Sequence, residues 1–187
     1  MDRLDPKRER ELVEKAMRDP QAFGELYNHY FPRIYAYVSY RVGRVQDTED
    51  LVSEVFLKAV SELTRFKYRG ERSFSAWLYR IAHNAVSDLF RQRKRRQEPI
   101  NLDELPEMQA HTILPDDALL RKENFRRLRR LIKTLSPSKQ EAITLKFFGG
   151  LRNKEIAAVL GISEKTVASN LCRGLEELHR KFLADSE

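Results

Sequence analysis

SFSAWLYRIAHNAVSDLFRQRKRR, residues Ser73–Arg96, sets the class of this fold. Phe74, Leu78, Ile81, Ala85 and Leu89 recur at three- and four-residue spacing and so share one face of a helix. Ser73 stands where a helix takes its N-cap. Tyr79, Arg80, His83, Asn84, Ser87 and Arg91 fall on the other side. The segment closes with five cations in the six residues Arg91–Arg96. Cations reach phosphates and aromatic rings stack on unpaired bases, so a helix that carries both suits single-stranded nucleic acid. Trp77 and Phe74 are open to either use, core packing or stacking.

Upstream, Ala22–Arg41 places Phe23, Leu26, Tyr27, Tyr30, Ile34, Tyr37 and Val38 at helical spacing. Pro32 lies inside that pattern, where it kinks or divides a helix, and Gly43 is a natural end. Asp47–Leu63 reads as a second amphipathic helix with Asp47 or Thr48 as cap and Leu51, Val55, Val60 and Leu63 inward. Thr64–Arg72 contains Gly70 and reads as a loop. With a shorter helix at Pro6–Arg18, these elements can bury one core of about 95 residues.

Downstream, residues 98–117 hold Pro99, Pro106 and Pro115 with no sustained period, as in an extended connector. Helix resumes at Asp117–Thr134, with Leu120, Phe125, Leu128, Leu131 and Ile132 as its apolar positions. Ser136-Pro137 starts another helix, which stops at Gly149-Gly150. Asn153–Leu160 and Glu164–Phe182 follow, separated by Gly161 and capped by Ser163. Ala157, Gly161 and Val167 have the spacing of a helix-turn-helix: a small residue at the crossing, a turn that favours positive φ, and an apolar residue in the angle. Ile156, Leu160, Ile162, Leu171, Leu175 and Leu178 complete its core. Lys165, Thr166, Ser169, Asn170 and Arg173 are left outward on the second helix, where they can reach base edges and phosphates. Arg152, Asn153 and Lys154 face the backbone from the first helix. Cys172 follows the core position Leu171 and is expected partly inward.

Charge is divided along the chain. The net charge of +7 is built from a neutral stretch 1–68, +6 over 69–97, −6 over 98–117 and +7 over 118–187. Two basic modules around an acidic connector suggest a shared polyanion partner, although helical surfaces are often rich in Lys and Arg without one. With 41% hydrophobic and 34% charged residues and only seven Gly and seven Pro, the composition is that of a helical protein rather than an all-β or disordered one. No window approaches the ~18 apolar residues of a membrane span, and the N-terminus lacks the apolar core of a signal peptide. One cysteine excludes an internal disulfide. His29, His83, His111 and His179 have no ligand spacing, so neither metal nor cofactor is expected. A cytoplasmic protein is the expectation.

Four segments in order, AFGELYNHYFPRIYAYVSYRVG (22–43), DTEDLVSEVFLKA (47–59), RSFSAWLYRIAHNAVSDLFRQRKRR (72–96) and LSPSKQEAITLKFFGGLRNKEIAAVLGISEKTVASNL (135–171), resemble the extracytoplasmic-function class of bacterial sigma factors. The resemblance covers about residues 20–96 and 118–182. It implies an all-α fold of two small helical domains joined by an extended acidic linker. Residues 1–97 would be a region 2-like domain, 98–117 the linker and 118–187 a region 4-like helix-turn-helix domain, with no region 3 domain between.

The resemblance also implies sites and partners. Asp50, Leu51, Glu54, Phe56 and Leu57 match the surface that docks on the β′ coiled coil of core RNA polymerase. Taken alone, that acidic row is an ordinary solvated face. Thr64–Arg72 matches the loop that holds a flipped base of the minus-ten element, which gives Lys67, Tyr68, Arg69 and Arg72 roles there. Asn84 matches a contact to the same element, and Arg80, Arg91, Arg93 and Arg95 are phosphate candidates. The second domain would read the minus-thirty-five element. It departs from the family pattern in carrying Asn170 where many members have Arg and Ala168 where a basic residue is frequent. Asn pairs with adenine and Arg with guanine, so an atypical element is expected. The linker would thread toward the RNA exit path or simply solubilise the chain. Partners implied are core polymerase through β′ and β, promoter DNA and an anti-sigma factor, with no membrane insertion.

Two other classes remain in view. A stand-alone helix-turn-helix regulator would need no polymerase surface, and Asp47–Ala59 argues against it. A sigma mimic that sequesters an anti-sigma factor could lose its DNA-reading face, whereas the basic faces here are intact. Paired carboxylates suggest acid–base chemistry only where a nucleophile or metal accompanies them, and none does. The chain is not expected to be an enzyme.

Overall fold

The computed structural model describes residues 4–68, 73–96 and 127–184, and regular structure among them is helical, with no strand. Helix α1 spans Pro6–Ala16, with Asp5 accepting hydrogen bonds from the Lys7 and Arg8 amides and Pro6 in the first turn. A 3-10 turn, Pro20–Ala22, leads into α2, Phe23–Val42. Pro32 neither divides nor ends α2. It lies on the exposed side, where solvent can reach the carbonyl that it leaves without a donor. Gly43 ends α2 as expected, at φ 88°, with its amide donating to the Ser39 carbonyl.

Helix α3, Val45–Glu62, has its cap at Arg44, three residues before Asp47 and four before Thr48, the expected caps. Arg44 takes the extended cap position, Asp47 sits in the first turn, and the Thr48 hydroxyl donates backward to the Arg44 carbonyl at 2.7 Å. Leu51, Val55 and Leu63 are buried as predicted, but Val60 is 48% exposed. The buried positions of α3 are Thr48, Leu51, Val52, Val55, Phe56 and Ala59, and at about 100° per residue Val60 falls past the edge of the arc they form. Helix α4, Phe74–Arg96, opens with the Ala76 amide donating to Ser73 Oγ at 3.1 Å, so Ser73 is its cap.

In the C-terminal part, residues 127–133 are helical and are labelled α5. Then come α6, Pro137–Phe147, α7, Asn153–Leu160, and α8, Glu164–Ala184. Gly161 has φ 69°, and its amide and that of Ile162 both donate to the Ala157 carbonyl. Val167 is fully buried in the angle, and the Thr166 amide donates to Ser163 Oγ at 3.0 Å. These are the contacts that the helix-turn-helix spacing requires. Leu175, expected in the core, is 43% exposed, and Gly174 occupies the buried position instead. A Cβ on Gly174 would come within 2.8 Å of Ile143 Cδ1, so α6 and α8 cross closely here and a larger residue would require the end of the Ile143 side chain to shift.

The two helical units dock on one another, and one buried apolar core runs through both. Tyr79, expected outward, is completely buried and donates to the Gly149 carbonyl at 3.0 Å. The Tyr40 and Phe148 rings stack at 4.3 Å. Arg129 is buried and donates to the Tyr40 carbonyl at 2.9 Å, which sets a cation at the negative end of α2. Helix α4 thus carries two buried stripes. Phe74, Leu78 and Ile81 belong to the first; Ser75, Tyr79, Ala82 and Val86, also at helical spacing, are the second. Ala85 and Leu89, placed on the first stripe from sequence, are only half-buried.

Candidate nucleic-acid interface

Three faces collect the residues singled out from sequence. On α3, Asp50 and Glu54 are exposed, and Leu57 is 72% exposed, an unusual position for a leucine. Leu51 is buried at the floor of a groove of about 400 Å³ between α3 and α4, beside Asp50, Glu54 and Arg95. Phe56 does not join that surface. It is buried behind it, with its ring 4.7 Å from Tyr27 and 6.2 Å from Phe31. Its place in the Val52–Ala59 arc was the signal that assigns it to the core.

The second face belongs to α4 and the loop before it. Lys67, Asn84, Arg91 and Arg95 are exposed, and Tyr68 is half-buried. Arg69 and Arg72 lie outside the described residues. Arg93 is not available to phosphate in this arrangement: it is buried and ion-paired with Asp47 of α3. The reason is helical phase, since Arg93 continues the stripe through Ala82 and Val86. Arg91 pairs with Asp88, and Arg80 donates to the Ala158 carbonyl of α7. Trp77 is half-buried, its ring 5.0 Å from Phe66 and 5.3 Å from Phe74, while Phe74 is core. Arg65, Lys67 and Arg80 rim a pocket of about 210 Å³ over Phe66 and Trp77, and Ala158 of α7 closes one side. An aromatic floor with a cationic rim suits one unpaired nucleotide.

The third face is the outer side of the helix-turn-helix. Lys165, Thr166 and Arg173 are exposed, and Ser169 and Asn170 are half-exposed beside them, so one α8 surface gathers all five. Arg152 and Lys154 are exposed at the start of α7, and Asn153 accepts a bond from Lys146 Nζ at 3.1 Å. Cys172 is exposed rather than partly inward. It donates to Glu176 at 3.2 Å, and that hydrogen bond raises its thiol pKa. Away from this face, Lys139 and Lys181 flank Glu177 at 2.8 and 2.9 Å. Their hydrogen bonds, Lys139 first, hold its carboxyl down to about 2.

Several residues that organise these faces carry no single-sequence signal. Glu141 of α6 is surrounded by Arg41, Tyr37 and His83. Burial works against its carboxylate, and the His83 and Arg41 contacts outweigh that and hold its pKa below the ordinary value. Glu155, buried in α7, accepts bonds from Ser73 Oγ and the Arg152 amide, both at 2.8 Å. Glu9 of α1 is buried and reaches the first amide of α4. Each has partners far away in sequence, which periodicity within a helix does not reveal. Among the described residues no group of three or more His, Cys, Asp or Glu is placed to hold a metal ion, and no helix is long and apolar enough to cross a membrane.

The Sigma-70 region 2 profile matches residues 26–96, and a Sigma-70 region 4 profile matches residues 125–178. The chain is 37% identical over 183 residues to the ECF RNA polymerase sigma factor BldN of Streptomyces coelicolor, which covers 97% of this chain and 69% of BldN. Among solved structures it is similar to CnrH in complex with the cytosolic domain of CnrY, with a TM-score of 0.71, 25% identity, and 95% and 98% of the two chains covered. The sigma factor RpoE of Bartonella quintana, in complex with the anti-sigma factor NepR, shares the fold: TM-score 0.66, 21% identity, 87% and 98% covered.

Proposed function

The chain belongs to the extracytoplasmic-function RNA polymerase sigma factors, and we propose how its surfaces divide that role: α3 docks on core polymerase, α4 with its preceding loop takes up the minus-ten element, and α8 reads the minus-thirty-five element. It is a specificity subunit that directs initiation rather than a catalyst. The observation that carries the residue-level reading is that one chain holds an exposed Asp50–Glu54–Leu57 surface as well as a helix-turn-helix with its polar side outward. A stand-alone regulator needs only the second.

Carboxylates around an exposed leucine suit a basic, amphipathic partner helix, such as an arm of the β′ coiled coil. Opening DNA costs a few kcal/mol per unstacked step, and preformed contacts must offset it. Lys67, Arg91 and Arg95 would hold phosphates, Asn84 would approach a base edge, and the Phe66–Trp77 pocket would receive the unpaired base. On α8, Asn170 with Lys165, Thr166, Ser169 and Arg173 would enter a major groove while Arg152 and Lys154 hold the backbone. The RpoE neighbour is bound to an anti-sigma factor, which supports a partner of that kind for this chain, and a subunit of bacterial polymerase would act in the cytoplasm.

The two elements are roughly 25 base pairs apart, about 85 Å of duplex. Docked units cannot reach both, so promoter binding requires them to separate. Residues 97–126, at 3.3–3.6 Å each, can reach about 100 Å, which is sufficient. The test is transcription by sigma-free core polymerase supplied with this protein and a randomised promoter library, with transcript 5′ ends sequenced. Defined start sites that share two upstream elements are expected. Specific duplex binding without any binding to core polymerase would instead support a stand-alone regulator.

A further inference from the structure

Helix α1 precedes the segment matched by the region 2 profile, yet it touches both ends of the loop before α4. At the exit, Glu9 Oε1 accepts the Phe74 amide at 2.9 Å, and Oε2 accepts the Tyr30 hydroxyl of α2. Glu9 is only 6% exposed. At the entry, the Arg10 guanidinium lies 5.6 Å over the Tyr68 ring. Tyr68 meets Phe66 edge-on at 4.9 Å, and Phe66 in turn packs against Trp77. Adjacent residues of α1 therefore hold Tyr68 on one side of the loop and Phe74 on the other.

A buried carboxylate is expensive unless it is hydrogen-bonded. Here it caps an amide that the first turn of α4 leaves without a helical partner, and its charge complements the helix dipole. Ser73 Oγ takes a second such amide, that of Ala76. The start of α4 is thus fixed from two directions, by its own cap and by a side chain from α1. Burial, together with Glu9 and its hydrogen bond, raises the Tyr30 hydroxyl pKa far above its ordinary value, so that hydroxyl stays a donor to Glu9.

We propose that Glu9 is a positioning residue for capture of the unpaired minus-ten strand: it holds the start of α4, and with it the Phe66–Trp77 pocket, in the shape that receives a base. The inference rests on the reading of α4 and its loop as the minus-ten site. Glu9 acts through Phe74 and Tyr30 and touches no nucleic acid. An amide side chain of the same shape can satisfy one of those two donors but not both.

The test uses holoenzyme assembled from core polymerase and the full chain. Glu9→Gln is expected to leave core affinity and binding to a minus-thirty-five duplex unchanged, and to weaken a single-stranded minus-ten oligonucleotide about tenfold, the effect of one buried donor left unpaired. Opening of a fully duplex promoter should fall in parallel, and a promoter opened in advance should recover most transcription. Arg10→Ala, on the exposed side of α1, removes the contact to Tyr68 and should weaken the same oligonucleotide by a smaller factor with core binding intact. Native oligonucleotide affinity in both variants overturns the proposal. So does an equal loss of core, duplex and oligonucleotide binding, the mark of general destabilisation. If Lys67→Ala and Asn84→Ala leave oligonucleotide affinity native, the underlying minus-ten reading fails, whatever Glu9 does.

Discussion

Glu141 of α6 lies 2.6 Å from Arg41 of α2, and this ion pair ties the second helical unit to the first. The two side chains are 12% and 16% exposed, so the pair is largely desolvated, and Tyr37 and His83 close around the same carboxylate. Removing one member of such a pair strands the other and costs on the order of 3 kcal/mol. The cost falls on the docked form alone, because solvent satisfies Arg41 once the units part. Glu141→Lys is therefore expected to shift the docking equilibrium about a hundredfold toward separation. Small-angle scattering should show a larger radius of gyration. Because Ala158 no longer walls the pocket over Trp77, the protein without polymerase should also bind a single-stranded minus-ten oligonucleotide more tightly. An unchanged radius would show that the Tyr40–Phe148 stack and the Tyr79 bond hold the units without this pair.

Docking should also depend on pH through Glu141. Its carboxyl pKa is lowered from 4.5 in the docked form, where His83 of α4 and Arg41 and Tyr37 of α2 face it. A group with a depressed folded pKa contributes stability that is fully present above its unfolded value and is lost as pH falls through the folded one. The contribution of Glu141 to docking should thus be fully present above about 4.5 and be lost as the pH falls below it. Energy transfer between dyes on the two units would follow this. Glu141→Gln should remove the part of the acid response that belongs to docking. A native-like acid midpoint in that variant would assign the response to other carboxylates.

Gly149 is where the α6–α7 turn presses on α4. A Cβ there would stand 2.6 Å from the Leu145 carbonyl oxygen and 3.0 Å from Tyr79 Cε1. The first of these is backbone and cannot swing away. Gly149→Ala should cost about 2 kcal/mol and lower the melting temperature by about 6 °C. Gly24→Ala is the control, since nothing lies within 4 Å of its added carbon and α2 is helical there. That change should be neutral or stabilise by up to about 1 kcal/mol.

The sequence was most legible where a structure is locally determined. Ala157, Gly161 and Val167 define the helix-turn-helix because the contacts they make lie within ten residues of each other, and Gly43 and Ser73 end and begin helices through their own backbone and side chain. It was least legible where the partner is remote. Tyr79 reads as outward because one apolar stripe already fills the inner face of α4, and Arg93 reads as a phosphate ligand because it belongs to a run of cations; the second stripe, which buries both, only makes sense once the α6–α7 turn and Asp47 are seen against it. Phe56 and Leu57 illustrate the same limit at a candidate site: adjacent in the DTEDLVSEVFLKA segment, one is core and the other surface.

Leu57 offers the cleanest test of the proposed polymerase surface. At 72% exposure it contributes little to the fold, so Leu57→Asp should leave the melting temperature within a degree or so. If it anchors α3 on core polymerase, the same change should weaken core binding about tenfold or more, as expected for an apolar anchor at an interface. Ser53→Asp, also exposed on α3, should do less. Native affinity in Leu57→Asp would move the docking surface elsewhere.

Asn170 is the α8 side chain that we propose sets the preferred base. It sits half-exposed between Ser169 and the buried Leu171, three residues from Arg173, with Thr166 one turn before it. An asparagine amide can donate to and accept from adenine in the major groove, whereas a guanidinium donates twice to guanine. Asn170→Arg should therefore turn a preference for adenine into one for guanine at a single position of the minus-thirty-five element, by about 1–3 kcal/mol of discrimination. Sequenced transcripts from a library randomised over that element would read the change directly. The minus-ten preference should stay as it was, because no α8 side chain enters the pocket over Phe66 and Trp77. If the guanine preference does not emerge, Asn170 holds phosphate or helix position rather than a base, and Lys165 and Thr166 become the side chains to exchange next.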